Sequence, residues 1–63
     1  MKPKNEYLTP AEVSDRWRGR VSVGTLANWR NLGRGPVYTK LEGTILYPLA
    51  EIVKFEKRNM IKP

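Results

Sequence analysis

The sequence predicts a small, mainly α domain with a single β-hairpin set between the second and third of three helices. Three observations carry that expectation. Thr9-Pro10-Ala11-Glu12 is a helix start, Ser22–Gly33 is a capped segment with one apolar stripe, and residues 37–47 mix β-branched and aromatic side chains in rough alternation around Glu42-Gly43. With 63 residues the chain is one domain at most, near the lower size limit for independent folding, so its core must be small.

At the first helix Thr9 is placed as the N-cap, Pro10 at the first helical position, and Glu12 closes a capping box. Leu8 and Val13 flank the cap as a hydrophobic staple, and Val13 and Trp17 form the inward stripe of a helix over about residues 10–18. Glu12 and Asp15 lie where the helix dipole favours anions, which accounts for them without a catalytic pair. Gly19-Arg20-Val21 is a tight connection with Val21 as its buried anchor.

The second helix is expected over about residues 23–32, with Ser22 as N-cap and Gly33 as the left-handed residue that ends it. At about 100° per residue, Leu26, Trp29 and Gly33 share a stripe with Val23 and Arg30 at its edge, and Gly24, Asn28 and Asn31 fall opposite. That outer face is small and polar, and Asn both donates and accepts. Two helices joined by a short Gly-containing connection fit a helix-turn-helix, whose second helix is the recognition element. Ten helical residues span roughly 15 Å, and the major groove of DNA, about 12 Å wide, admits a helix. A merely solvated face is the plain alternative. Trp17 and Trp29 lie on apolar stripes, so core packing accounts for them better than stacking on single-stranded bases.

After Gly33 the pattern changes. Arg34-Gly35-Pro36 forbids helix, Val37–Leu41 and Thr44–Tyr47 are strand-like, and Glu42-Gly43 is the turn between them, giving a hairpin over about residues 37–47. Too small to stand alone, the hairpin must pack on the helices, with Tyr38, Leu41, Ile45 and Tyr47 as its core side chains. In a DNA binder it would be a wing on the sugar–phosphate backbone, with Arg34, Thr39, Lys40 and Thr44 as its polar contacts. Pro48 is expected to open a third helix over about residues 48–58, with Leu49, Ile52 and Val53 inward and Asn59 at its end. Residues 1–6 read as a flexible tail, residues 7–59 as the domain, and residues 60–63 as a frayed end.

The net charge is +6, and its distribution is uneven. From Arg16 to Leu41 there are six cations (Arg16, Arg18, Arg20, Arg30, Arg34, Lys40) and no anion, while outside that window six cations meet six anions. The excess therefore lies around the second helix and its flanks, which points to a polyanion partner. There is no Cys and no His, which excludes disulfides, thiolate and imidazole catalysis and the usual zinc sites. No nucleophile–base pair is recognisable, so neither an enzyme nor a metal or other cofactor is expected. No apolar run has the roughly 20 residues of a membrane span, and the expected setting is a soluble, cytoplasmic protein.

The segments YLTPAEV, SVGTLANWRNLGRGPVY and LYPLAEIVKF together resemble the small MerR-like winged helix-turn-helix domains, the group that includes excisionases of phages and integrative elements and the AlpA-like regulators. The likeness covers about residues 7–55 and is most specific at Thr25, Leu26, Trp29, Arg30, Gly33, Gly35 and Pro36. It implies a bacterial or phage protein that binds double-stranded DNA, with the recognition helix in the major groove and the wing on an adjacent minor groove or backbone. Ser22, Gly24, Thr25, Asn28 and Asn31 would contact DNA from the helix, and Arg34, Lys40 and the vicinity of Thr44 from the wing. Arg18, Arg20 and Arg30 would neutralise phosphates, Arg30 being also placed to pair with a carboxylate on a neighbouring helix. Several relatives carry Arg or Glu where this chain has Gly24, Ala27, Asn28 and Asn31, which leaves base readout thinner. The dimerisation helix and effector domain of full-length MerR regulators are missing, so no small-molecule ligand is implied and a monomer is expected off DNA. The implied protein partners are an integrase or recombinase and further copies on adjacent sites. Two other readings stand beside this one: the DNA-binding head of a larger assembly, such as a terminase small subunit, and a basic protein-interaction module.

Overall fold

The computed structural model describes residues 6–61. Residues 1–5 and 62–63 lie outside the described residues, and with them most of the expected tail, its Lys2 and Lys4, and the last part of the expected frayed end. In chain order the elements are β1 (Tyr7–Leu8), α1 (Pro10–Arg16), α2 (Val23–Leu32), β2 (Thr39–Leu41), β3 (Thr44–Pro48) and α3 (Leu49–Arg58). The strands form one antiparallel sheet in the order β1-β3-β2. The domain is thus mixed α/β, three helices with a three-stranded sheet, where a mainly α domain with one hairpin was expected.

The third strand makes the difference. Tyr7 pairs with Pro48 and Leu8 with Tyr47, and the Leu49 N–H donates to the Glu6 carbonyl at 2.8 Å. Two residues are too short for any period to show in sequence, and their partners lie on the far side of both the first two helices and β2.

α1 starts as its cap dictates. The Glu12 N–H donates to Thr9 Oγ1 at 3.1 Å and the Thr9 N–H to Glu12 Oε1 at 2.9 Å, a complete capping box. The helix stops at Arg16, two residues short of the expected end, because Arg18 and Gly19 both take left-handed backbone, φ 58° and 73°. Their N–H groups fold back onto the Asp15 and Ser14 carbonyls.

α2 has the expected limits, since both of its ends are set by local chemistry. Ser22 Oγ accepts from the Thr25 N–H at 3.1 Å. At the other end Gly33 is left-handed, its N–H donates to the Arg30 carbonyl, and the Arg34 N–H reaches the Trp29 carbonyl at 2.9 Å. This is a Schellman motif.

The hairpin is shorter than residues 37–47. Its two-residue turn places Glu42 at φ 49° and Gly43 at φ 78°, both positive as a type I′ turn requires. Pro48 does not open α3. It is the last residue of β3, with extended backbone that makes it the N-cap, and the helix begins at Leu49.

α1, α2, β3 and α3 each contribute one fully buried side chain to the core, Val13, Leu26, Tyr47 and Ile52 respectively, and Leu8, Trp17, Val21, Trp29 and Ile45 pack around them. Of the hairpin residues expected in the core, Tyr47 and Ile45 are there, but Tyr38 is 40% and Leu41 52% exposed. Leu41 stands beside the turn, beyond the reach of the helices, and Tyr38 lies against Arg30 and Tyr47 at the edge. None of the described helices is long and apolar enough to cross a membrane.

Candidate nucleic-acid interface

Leu26 at the centre of the inward stripe of α2 is fully buried, and this fixes the helix's rotation. Gly24, Asn28 and Asn31 are accordingly all exposed on the opposite side. Neither Asn side chain has a hydrogen-bond partner among the described residues, so both amides can donate and accept outward. Gly24 has helical backbone, and a Cβ built there would meet only Ser22 Oγ, at 3.8 Å. The fold therefore does not require this glycine, which weakens the helix by roughly 0.5–1 kcal/mol relative to Ala. What it leaves is a flat place where another surface can come close.

Ser22 is exposed and Thr25 half-buried. The Ser22 hydroxyl accepts from the Thr25 N–H and donates its one proton to Thr25 Oγ1 at 3.1 Å. Only the Thr25 hydroxyl keeps a proton to give outward. In the hairpin, cross-strand partners share a face, so Thr39 stands with Leu46, Leu41 with Thr44, and Lys40 with the half-buried Ile45. Thr39 and Thr44 thus lie on one face of the sheet and Lys40, an exposed residue, on the other.

The six cations of the basic window differ in the partners they meet. Arg16 pairs with Glu56, its Nε and Nη2 donating at 2.6 and 3.0 Å. Arg30, expected to meet a phosphate or a carboxylate, has no carboxylate partner among the described residues. Its Nη1 donates to the Tyr47 hydroxyl at 2.7 Å, and its guanidinium lies over the rings of Tyr38 and Tyr47 at 5.7 and 5.9 Å. A half-buried guanidinium beside two neighbouring phenol rings gains cation–π attraction and a charge-assisted hydrogen bond, and so ties α2 to the hairpin. Arg34 lies over the Trp29 ring at 5.9 Å and is exposed, as are Arg18, Arg20 and Lys40.

Glu56 is the residue the sequence least announces. Besides Arg16 it accepts from Trp17 Nε1 at 2.6 Å, which joins the end of α1 to α3. The hydrogen bond from Arg16, then the one from Trp17, holds its carboxyl down to about 2 against an ordinary value of 4.5. A depressed carboxyl stabilises the fold above its unfolded value and loses that stabilisation as pH falls toward the folded one. Because the pair's side chains are 39% and 30% exposed, solvent screening reduces the contribution to about 1 kcal/mol. Denaturant titrations should therefore show stability falling between about pH 4.5 and about pH 2, and Glu56→Gln should flatten that fall. An unchanged acid limb in the variant would show that other carboxylates cause it.

Trp17, Phe55 and Trp29 form a ladder, with ring centroids 5.8 and 5.9 Å apart and planes tilted by 31° and 48°. Beside them an open groove of about 490 Å³ is bordered by Arg18, Arg20, Val21 and Asn59. The structure thus places Arg18 and Arg20 on the border of the groove beside the aromatic ladder. Among the described residues no group of carboxylates is arranged to hold a metal ion. Comparison of the chain with protein-family models, curated proteins and solved structures gives no significant match.

Proposed function

We propose that the chain is a winged helix-turn-helix protein that binds double-stranded DNA sequence-specifically, of the excisionase or small mobile-element regulator type, and does no chemistry. The observation that carries this reading is the unpartnered face of Gly24, Asn28 and Asn31 on a helix whose other side is locked into the core. α2 enters the major groove, where Asn28 and Asn31 read base edges, adenine being the natural bidentate partner of Asn. Gly24 lets the helix lie close, and Thr25, with the Ser22 end of the helix, meets a phosphate. The hairpin is the wing. Lys40, with Arg34 from the segment leading into it and Thr39 and Thr44 on its other face, supplies backbone contacts that position the helix without reading sequence.

Arg30 has a positioning role in this reading. Clamped by Tyr38 and Tyr47, it sets the angle between recognition helix and wing, so that both reach one duplex.

The test is fluorescence anisotropy, first with random duplex at low salt and then with duplexes selected for binding. Lys40→Ala should weaken both and flatten the plot of log affinity against log salt by roughly one, the signature of one lost phosphate contact. Absence of any binding to random duplex at low salt would sink the proposal and favour an acidic protein partner.

A further inference from the structure

We infer that the groove beside the Trp17–Phe55–Trp29 ladder docks an acidic peptide segment of a partner protein, one carrying an aromatic or large aliphatic anchor side chain, and that Arg18 and Arg20 serve this groove and not DNA phosphate. It is a second surface, distinct from the one through which α2 is proposed to meet DNA.

Four observations support the assignment. The groove's floor is apolar and made of half-buried aromatic rings from three elements, the ends of α1 and α2 and the last turn of α3. The one carboxylate on its border, Glu56, is already satisfied by Arg16 and Trp17, while Arg18 and Arg20 are exposed with no anionic partner among the described residues. An apolar floor with an uncompensated cationic rim is complementary to an apolar anchor flanked by Asp and Glu. Arg18 is also held in left-handed backbone, φ 58°, a conformation that is uncommon for a non-Gly residue and is found concentrated at ligand clamps. Finally, Trp29 belongs to the inward stripe of α2, so the groove does not share the face of Gly24, Asn28 and Asn31.

Stacked nucleobases fit the groove poorly. The ring planes are tilted by 31° and 48° and form no parallel slot. Trp29 is covered by Gly35, where a Cβ would stand 2.8 Å from Cε3, and by Arg34. A Phe or Leu side chain needs no parallel slot and suits the groove's apolar lining.

The chain has two tryptophans and both border the groove, so their indole N–H signals in a ¹⁵N-correlated NMR spectrum of the full chain report on it directly. The probe is the peptide Gly-Asp-Glu-Asp-Phe-Leu-Glu-Asp-Gly with blocked ends. Titration is expected to move both indole signals saturably, and replacing Phe-Leu by Ser-Ser should cost at least about tenfold in affinity, the worth of one well-buried anchor. Arg18→Asn with Arg20→Gln should also cost about tenfold against the peptide and leave the salt slope for random duplex unchanged. Asn59→Glu, which sets a carboxylate in the groove from the end of α3, should weaken the peptide to a similar degree and covers the case in which the double variant does not fold. The inference is overturned by a double variant whose duplex salt slope falls by about two, by equal binding of the Ser-Ser peptide, by indole signals that respond to oligothymidylate more tightly than to the peptide, or by no response to the peptide. Failure of wild-type chain to bind duplex would sink the DNA reading alone.

Discussion

Replacing Asn28 and Asn31 together by alanine is expected to lower affinity for a selected duplex by a hundredfold or more while leaving affinity for random duplex nearly unchanged. A bidentate amide on a base edge is worth about 1–3 kcal/mol of discrimination, and about 1.4 kcal/mol is a factor of ten. Both side chains are exposed and make no hydrogen bond within the described residues, so stability should shift by no more than about 0.5 kcal/mol. Alanine is moreover the better helix former. That separation makes the experiment decisive, because a loss of binding cannot be blamed on the fold. Anisotropy on both duplexes, alongside a denaturant titration, reads the two effects separately. Equal loss on both duplexes would make the asparagines backbone contacts. No loss on either would leave the polar face of α2 as solvated surface, and the DNA proposal without its recognition element.

How much of this could be read from the sequence depended on whether the interactions that decide it are local. The capping box at Thr9 and Glu12, the Ser22 cap and the Gly33 terminus are closed by residues within a few positions of one another. The start of α1 and both ends of α2 were therefore legible. The end of α1 was not, because Arg18 adopts a backbone conformation that its side chain gives no reason to expect. β1 was invisible, since its two residues gain strand character only from Pro48 and Tyr47.

The site divides in the same way. The outward face of α2 followed from helical period alone. The grouping of the basic residues did not, because it rests on contacts between side chains far apart in sequence. Arg16 is neutralised by Glu56, forty positions on, and Arg30 is claimed by Tyr47, seventeen positions on. Charge counted along the chain placed all six cations beside one helix. In three dimensions only Arg18, Arg20, Arg34 and Lys40 are exposed without a side-chain hydrogen bond among the described residues, and the first two border the groove. An Arg-rich window thus measures how much positive charge is available, while the tertiary partners decide where it is presented.

Gly35→Ala is expected to destabilise the fold by about 2–4 kcal/mol, whereas Gly33→Ala, two residues away, should cost only about 1 kcal/mol. Both glycines have left-handed backbone, φ 72° at Gly33 and 91° at Gly35, so both substitutions carry the conformational penalty. Their surroundings differ. A Cβ at Gly33 meets nothing within 4 Å, but at Gly35 it would lie 2.8 Å from Trp29 Cε3 and 3.2 Å from Trp29 Cβ. Trp29 cannot retreat easily. One side of its ring meets Phe55, and the backbone beneath it is fixed by the Schellman hydrogen bonds. Pro36, next to Gly35, is buried and anchors the segment from the other side. The added methyl must therefore push the tryptophan off its packing or lift the connection into the hairpin, in a domain whose total stability is of the order of 5 kcal/mol. Urea titrations of the two variants isolate the contact term, because the backbone penalty is common to both. A shift of the Trp29 indole signal in Gly35→Ala but not in Gly33→Ala would locate the damage. Equal losses would mean that Gly35 is needed only for its backbone angle, and that the close approach to Trp29 contributes nothing to holding α2 in place.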